Sequence, residues 1–276
     1  MFNNIGIAIL SWKAPQTLDA TLASYQKANL FSHFKEVVVN LVEARDEDIE
    51  IAKKYGLKYV TYDKNLGILG GMEAAINSVS TDYVFYLEND LPLIENEEEV
   101  VKQFSLGIEA LENKTIDVMH LRSRFNPGVG YGMQKYTRYY DIVDMDENFN
   151  QQDTISKDPT YLKILRRIFY PTKAKRMISG CLFVEKNPEK LFPKYISRYK
   201  DIFVIDSEIL PWTNQSFLIK KDFMNSLFQY AKAHPTSRKV NNFLTFEREL
   251  NSKWWKKQHY KMGFGKGLFT HQRLDR

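Results

Sequence analysis

Segments typical of strands and of helices alternate through the first 95 residues of this chain. Short runs rich in β-branched and other apolar residues, typical of buried strands, cover residues 4–12, 36–42, 57–62 and 83–88. Helix patterns with matching start or stop signals lie between them, at residues 15–30, 46–56 and 67–79. Because parallel strands need long crossover connections, this alternation predicts a parallel sheet with helices on its faces. The predicted fold class is therefore α/β, with a Rossmann-like, mostly parallel central sheet flanked by helices.

The second part of the chain is less regular. Residues 113–160 are polar and predicted to be mainly loop, with a glycine-rich stretch at 125–134. Apolar runs predict strands at 178–186 and 215–223. A helix is predicted within 241–257, beginning near Thr245. We find no internal repeat.

Composition limits the class of protein. The chain has 276 residues, 43% of them hydrophobic, which is enough for one large α/β domain or two closely packed halves. Its single cysteine, Cys181, excludes an internal disulfide framework. We see no signal-peptide pattern and no apolar run near the roughly 20 residues that a spanning helix needs. We therefore expect a cytoplasmic protein, peripheral to a membrane at most.

The net charge of +5 is unevenly distributed. Residues 160–200 carry 11 Lys or Arg against two acids, and aromatic residues are interleaved with the basic ones. Trp254 and Trp255 lie among further lysines. One interpretation is a peripheral contact with anionic lipid, and the other is that the aromatic rings pack inside while the charges are solvated. No zinc-finger spacing or RRM signature is present, so we expect no nucleic-acid partner.

The predicted strand at residues 83–88 ends in an acidic turn. Glu88-Asn89-Asp90 follows the apolar run directly, and Pro92 stops the strand. Two carboxylates at the end of a buried strand are costly unless positive charge lies against them, and a divalent cation with oxygen ligands would supply it. Ordinary turn chemistry is the alternative.

The order of motifs before Asp90 resembles that of family-two GT-A glycosyltransferases. In DKNLGILGGMEAAINSVSTDYVFYLEND, residues 63–90, an Asn-x-Gly loop containing Asn65 and Gly67 opens a helix about twenty residues before the acidic strand end. The resemblance implies that Asp90 holds Mn²⁺ or Mg²⁺ and that Glu88 orients the donor ribose or a metal-bound water. The glycines suit a close approach of an anion to the helix start, or simply tight helix–sheet packing.

The same resemblance implies roles for residues elsewhere in the chain. Ser11 and Lys13 match the first nucleotide loop in position, and Glu43 is placed near the base or ribose. Thr-Phe-Glu-Arg-Glu at 245–249 resembles the late acidic motif, with Glu247 as the first choice of general base and Glu249 as the second. His271 is implied as a late metal ligand. Capping, for the glutamates, and surface packing, for the histidine, are the alternatives.

The resemblance implies an inverting hexosyltransferase of the GT-A fold, in polysaccharide biosynthesis. It would use a divalent cation and move a sugar from a UDP-linked donor to a hydroxyl of a glycan or lipid-linked acceptor. Residues 1–95 would form the nucleotide-sugar-binding half of one domain, and residues 96–276 the acceptor-binding and catalytic half. His120, Arg122 and Arg124 are expected to line the cleft if their strand lies beside the acidic one; a surface strand is the alternative.

Two other functions stay open. A nucleotidyltransferase acting on sugar phosphates shares the α/β frame and the metal carboxylates, although the first strand is not followed by the glycine-rich basic loop usual there. A catalytically inactive carbohydrate-binding relative would need the acidic residues not to converge. The sequence indicates neither the sugar, the acceptor nor the oligomeric state.

Overall fold

The computed structural model describes residues 1–128, 133–149, 155–236 and 243–275. Within them, one nine-stranded sheet is flanked by helices. The strands are β1 (Phe2–Trp12), β2 (Phe34–Val42), β3 (Lys58–Tyr62), β4 (Tyr83–Glu88), β5 (Val118–Arg122), β6 (Ile196–Tyr199), β7 (Ile202–Asp206), β8 (Phe217–Lys220) and β9 (Lys261–Phe269). The helices are α1 (Pro15–Lys27), α2 (Asp46–Lys54), α3 (Gly67–Ser78), α4 (Glu97–Glu112), α5 (Met133–Thr137), α6 (Thr160–Phe169), α7 (Pro171–Met177), α8 (Pro188–Leu191), α9 (Lys221–Ala233), α10 (Phe246–Leu250) and α11 (Lys253–Gln258).

The strand order in the sheet is β3-β2-β1-β4-β8-β5-β9-β7-β6. β1, β2, β3 and β4 run parallel, while β8 is antiparallel to both β4 and β5. β9 runs parallel to β5, and β7 lies antiparallel to β9 and β6. Seven of the nine described strands therefore run in one direction, so the sheet is mostly parallel, as predicted, and it joins strands from both halves of the chain.

Alternation along the strands builds a core on each face of the sheet. In β1, Ile5, Ile7 and Ile9 face one side and pack in the cluster that contains Leu18 and Leu22 of α1. The intervening Ala8 belongs to the opposite cluster, with residues of α3 and α9. Because successive side chains of a strand point to opposite faces, a strand covered on both sides must be apolar where it is covered, as residues 5–10 of β1 are.

The strands and helices predicted in the first half are confirmed, with ends shifted by up to three residues. Pro15 begins α1, where its missing N–H costs nothing. Three acids occupy the first turn of α2 and two lysines its last turn, which suits the helix dipole. β4 has the predicted bounds. These elements place four parallel strand ends at one edge of the sheet.

One prediction for the second half is wrong and two are only partly right. Residues 178–186 do not form a strand, because Ile178–Phe183 is a short 3₁₀ helix. Its residues are almost all buried, and a short apolar run cannot distinguish strand from helix by periodicity. The strand predicted at 215–223 covers only β8, since α9 starts at Lys221. The region 113–160 contains β5 and α5 in addition to loop.

The helix predicted from Thr245 is two short helices, α10 and α11. Asn251 lies between them and bonds the backbone of Trp212 through both ends of its amide, at 2.7 and 2.9 Å. Part of the glycine-rich stretch, residues 129–132, lies outside the described residues, as do residues 241–242 of the predicted helix. None of the described helices is long and apolar enough to cross a lipid bilayer.

Candidate active site

The acidic turn lies at the carboxyl end of β4, between β1 and β8. Asn89 N–H donates to the carbonyl of Leu10 at 3.0 Å, which extends the pairing with β1 beyond the end of β4. The carbonyl of Asp90 accepts from Gln272 N–H at 2.9 Å. The segment after β9 therefore crosses the acidic strand end, and it carries His271 and Arg273 with it.

Asp90 is buried and contacts two basic side chains. His271 Nε2 lies 3.2 Å from Asp90 Oδ2, and an amino nitrogen of Arg273 lies 3.0 Å from the same oxygen. The proximity of Asp90 and His271 was expected, whereas Arg273 was missed. A signal was present in the sequence: Arg273 is two residues from His271, so in an extended segment both side chains leave on the same side.

The atoms left over at this contact fit a divalent cation. Asp90 Oδ1 and His271 Nδ1 are both buried, and neither has a hydrogen-bond partner among the described residues. Buried polar atoms are rarely left unpaired, so each of these two atoms indicates a ligand that the described residues do not supply. A carboxylate oxygen and an imidazole nitrogen are ligands that Mn²⁺ accepts, and Asp90 and His271 are the residues that would hold it.

Glu88 is the second acid of the turn. Burial, repulsion from Asp90 and repulsion from Glu247 raise the pKa of Glu88 to about 8, and Arg273 opposes this shift. The hydroxyl of Tyr86 lies 3.5 Å from its carboxylate. Three carboxylates thus interact electrostatically at one edge of the sheet, which favours a cationic ligand there.

The two late glutamates have different surroundings. Glu247 Oε1 accepts from the backbone N–H of Asn214 at 2.9 Å, and burial raises the pKa of Glu247. Glu249 is buried and accepts from both the backbone N–H and the hydroxyl of Thr236. Glu247 also interacts electrostatically with Glu88, so we group it with the acidic turn. Glu249 instead anchors the segment after α9 through Thr236.

The ends of β1 and β2 carry the predicted nucleotide-side residues. Glu43 accepts from Lys13 Nζ at 2.8 Å and from Trp12 Nε1 at 2.7 Å. Lys13 and Glu43 both have left-handed backbones, with φ of 49° and 50°. Ser11 is buried, and its hydroxyl has no hydrogen-bond partner among the described residues.

The Asn-x-Gly loop is fixed by its own side chain. Asn65 Oδ1 accepts from the backbone N–H of Gly67 at 2.8 Å. Gly67 has a φ of +66°, and a Cβ there would lie 2.4 Å from Cγ of Phe243. Only glycine suits this position, because the backbone is left-handed and the space is filled.

His120 and Arg122 lie on β5 and Arg124 follows its end, and the position of this strand meets neither expectation. β8 separates β5 from β4, and β5 is buried rather than at the surface. His120 stacks on Phe264 with ring centroids 4.8 Å apart. Arg122 and Arg124 each donate to a backbone carbonyl at 2.6 Å. We therefore assign these three buried side chains a structural role.

A separate cluster of metal-ligand type occurs among the described residues. Asp206, Glu208 and His259 bring their ligand atoms within 4.8 Å of one another. Lysines already neutralise it, since Lys261 bonds Asp206 and Lys175 bonds Glu208. We assign no metal to this cluster.

The fold has known relatives in structure, although no family model and no curated protein matches the sequence. The structure of S. aureus TarS 1–349 aligns with a TM-score of 0.51 and 11% identity, over 98% of this chain and 60% of that one. TarS 1–349 in complex with UDP-GlcNAc gives a TM-score of 0.51 at 11% identity, over 99% and 59%. The chain has a GT-A-like glycosyltransferase fold. It spans about three fifths of the length of that TarS fragment, and at this identity the similarity establishes the fold alone.

Proposed function

We propose that this chain is a glycosyltransferase that moves a sugar from a nucleotide-diphosphate sugar to a hydroxyl group. The observation that carries the proposal is the meeting of Glu88, Asp90 and Glu247 with His271 and Arg273 at the strand ends of a GT-A-like sheet. Ligands of open α/β sheets bind at such carboxyl edges. The complex of TarS 1–349 with UDP-GlcNAc supports this class of donor.

Charge on the leaving nucleotide diphosphate grows as its bond to the sugar breaks. A Mn²⁺ or Mg²⁺ ion held by Asp90 and His271 would supply electrostatic stabilisation of that charge. Arg273 contacts the same carboxylate and supplies positive charge from the protein itself. Fixed charges placed where charge develops are the main source of rate enhancement in such transfers.

Glu247 is the proposed general base. Its pKa is raised by burial, which makes the ionised carboxylate a better proton acceptor for the acceptor hydroxyl. The backbone N–H of Asn214 holds one of its oxygens and so orients the other. Attack by the deprotonated hydroxyl on the face opposite the leaving group inverts the anomeric carbon. Glu249, bonded to Thr236, is assigned a structural role instead.

The donor nucleotide is proposed to bind along the ends of β1 and β2. Ser11, Lys13 and Glu43 would contact the base and ribose, and Glu88 would orient the ribose or a metal-bound water. Asn65 and Gly67 shape the start of α3 beside them. In the free protein Lys13 and Glu43 pair with each other, so donor binding on this side requires their ion pair to rearrange or to be contacted as a unit.

Several finer features complete the proposal. The motif order supports membership of family two, a UDP-linked donor, inversion, and a glycan or glycolipid acceptor in polysaccharide biosynthesis. Residues 1–95 would serve mainly the donor and residues 96–276 the acceptor. The anomeric configuration of the product, read by NMR, tests the inversion.

Donor hydrolysis without acceptor tests the proposal most directly. The full chain is incubated with a panel of UDP-, GDP-, CMP- and dTDP-sugars and Mn²⁺, and release of the nucleotide is followed by chromatography. We expect turnover of one donor class, its loss in Asp90→Asn, and its retention in Asp201→Asn, a matched control at an exposed ion pair. Full turnover by folded Asp90→Asn would contradict the site.

The same assay separates the alternatives. An inactive relative would turn over no donor in the presence of Mn²⁺. A nucleotidyltransferase would instead release pyrophosphate from a nucleoside triphosphate and a sugar phosphate. The present proposal requires nucleotide release from a nucleotide sugar and no pyrophosphate.

A further inference from the structure

α6 turns its apolar side outward, away from the protein. Five of its six large apolar side chains recur at the spacing i, i+3, i+4, i+7 and i+8, which gathers them on one side of the helix. All of them are exposed, by 42% to 71%. They are Tyr161, Ile164, Leu165, Ile168 and Phe169. We call this set the α6 stripe.

The basic residues of α6 point inward instead. Lys163 is buried and bonds Asp141 at 2.9 Å. Arg166 pairs with Asp158 at 2.5 Å. A helix on the surface of a globular protein normally places its apolar side against the core and its charges in water. α6 has the reverse orientation, with its apolar side in water. The two ion pairs of Lys163 and Arg166 stabilise this orientation.

Cations border the stripe. Lys135, Arg138 and Lys173 line a cleft of about 350 Å³. Tyr139, Tyr170, Met177 and the Asp158-paired Arg166 complete its lining. None of these lining residues is acidic. Tyr170, at the junction of α6 and α7, is 60% exposed. Exposed apolar and aromatic groups therefore adjoin a cleft of one charge sign.

We propose that the α6 stripe and this cleft form a docking surface for an anionic lipid bilayer. Helices that lie in a membrane interface bury an apolar side at the boundary between headgroups and acyl chains. Lysine and arginine beside them attract acidic headgroups. Here the stripe would enter that boundary, and Lys135, Arg138 and Lys173 would face lipid phosphates.

The charge of the docking surface favours an anionic bilayer over a second copy of the chain as its partner. A two-fold symmetric dimer through the stripe would place the same patch on both sides of the interface. The cations of both copies would then be gathered in one interface, which is unfavourable. An anionic bilayer complements both the apolar stripe and the charge of its border.

Trp254 and Trp255 do not extend this surface, contrary to one of the two interpretations of the sequence. Trp255 is buried, and its indole N–H donates to the carbonyl of Leu210 at 2.9 Å. Trp254 stacks on Tyr230 with ring centroids 3.6 Å apart. The docking surface is confined to α6 and its neighbours.

Vesicle flotation of the full chain tests the proposal. We expect flotation with phosphatidylcholine–phosphatidylglycerol vesicles at low salt, release at high salt, and little binding to phosphatidylcholine alone. Ile168→Glu combined with Phe169→Glu should weaken binding by roughly tenfold or more, since each removes a side chain from the acyl boundary. Val60→Glu, at an exposed apolar position on β3, is the matched control and should bind as the wild type does.

Charge variants test the border separately. Arg138→Glu with Lys173→Glu should weaken binding to anionic vesicles by a similar factor and reduce its salt dependence. Equal binding to neutral vesicles, no binding at low salt, or wild-type binding by the stripe variant would each overturn the proposal. So would a concentration-dependent dimer, seen by analytical ultracentrifugation, that Phe169→Glu abolishes.

Only one consequence rests on the proposed function, namely that the acceptor is presented at a lipid surface. Flotation measures vesicle binding by the docking surface without any transfer reaction. Donor hydrolysis in solution measures the activity of the candidate active site without lipid. The stripe variants should hydrolyse donor at the wild-type rate. Failure of docking and failure of the proposed reaction are therefore distinguishable.

Discussion

Acid should destabilise this protein through His120, a histidine buried in the sheet. His120 is 2% exposed, and its ring lies against Phe264, Trp212 and Phe217. Nε2 has no hydrogen-bond partner among the described residues. Burial lowers the pKa of His120 from 6.5 to about 3, because the charged imidazolium is poorly solvated there.

The sign and size of the effect follow from this difference. The unfolded chain takes up a proton near pH 6.5, whereas the folded protein does so only near pH 3. The contribution of His120 to stability is therefore complete above pH 6.5 and is lost as the pH falls toward 3. At about 1.4 kcal/mol per pH unit below 6.5, lowering the pH from 7 to 5 should reduce the contribution of His120 to the free energy of unfolding by about 2 kcal/mol.

His120→Phe isolates this contribution. The larger ring should cost about 1–3 kcal/mol through overpacking, equally at both pH values. Urea unfolding followed by tryptophan fluorescence at pH 7 and pH 5 measures the free energy in each protein. The wild type should lose about 2 kcal/mol more than His120→Phe between the two conditions. His234→Phe, at an exposed histidine, should show the wild-type loss. Equal losses in His120→Phe and the wild type would refute the reasoning.

Three further predictions address the site. Mn²⁺ should raise the melting temperature of the wild type but not of Asp90→Asn, measured by differential scanning fluorimetry; an equal rise in both would place the cation elsewhere. Glu247→Gln should keep donor binding and lower transfer by roughly 10²-fold, whereas Glu249→Gln should lower stability by about 1–3 kcal/mol through its buried hydrogen bonds; the opposite pattern would exchange their roles. Gly67→Ala should cost at least about 1–2 kcal/mol in urea unfolding because its left-handed backbone disfavours a Cβ.

The first half of the fold was predictable because its signals are local. Each strand is a short apolar run, and each helix between them has its own start and stop residues. Pro15 and the acids of the first turn of α2 act within one turn of the chain, so they can be read without knowing what packs nearby. The alternation then leaves few sheet topologies to choose from.

The second half depended on contacts distant in sequence. Ile178–Phe183 became a 3₁₀ helix although its composition suits a strand. Glu247 and Glu249 are two residues apart and chemically identical, yet Asn214 bonds one and Thr236 the other. No local pattern distinguishes these glutamates. The sequence offered both glutamates as candidates for the proposed general base, and their different hydrogen-bond partners in distant segments distinguish them.

The acidic turn shows where prediction from sequence succeeds and where it stops. The cost of two carboxylates at a strand end indicated that positive charge must lie nearby. His271 was anticipated from motif order, but Arg273 was not, because its approach depends on the segment after β9 crossing the turn. The local sequence therefore predicts that a positive charge must contact the acidic turn. Which residue supplies that charge depends on the path of the chain.

The direction in which α6 faces illustrates the same limit at the surface. An amphipathic pattern has the same period whether its apolar side meets the core or the solvent, so residues 160–169 alone allow both arrangements. The arrangement is decided by carboxylates outside the helix. Asp141 and Asp158 pair with Lys163 and Arg166 on the side of the helix opposite the α6 stripe, which leaves the apolar side in water. Exposing that many apolar groups is unfavourable for an isolated protein, and an anionic bilayer would remove the cost without disturbing the ion pairs that set the orientation.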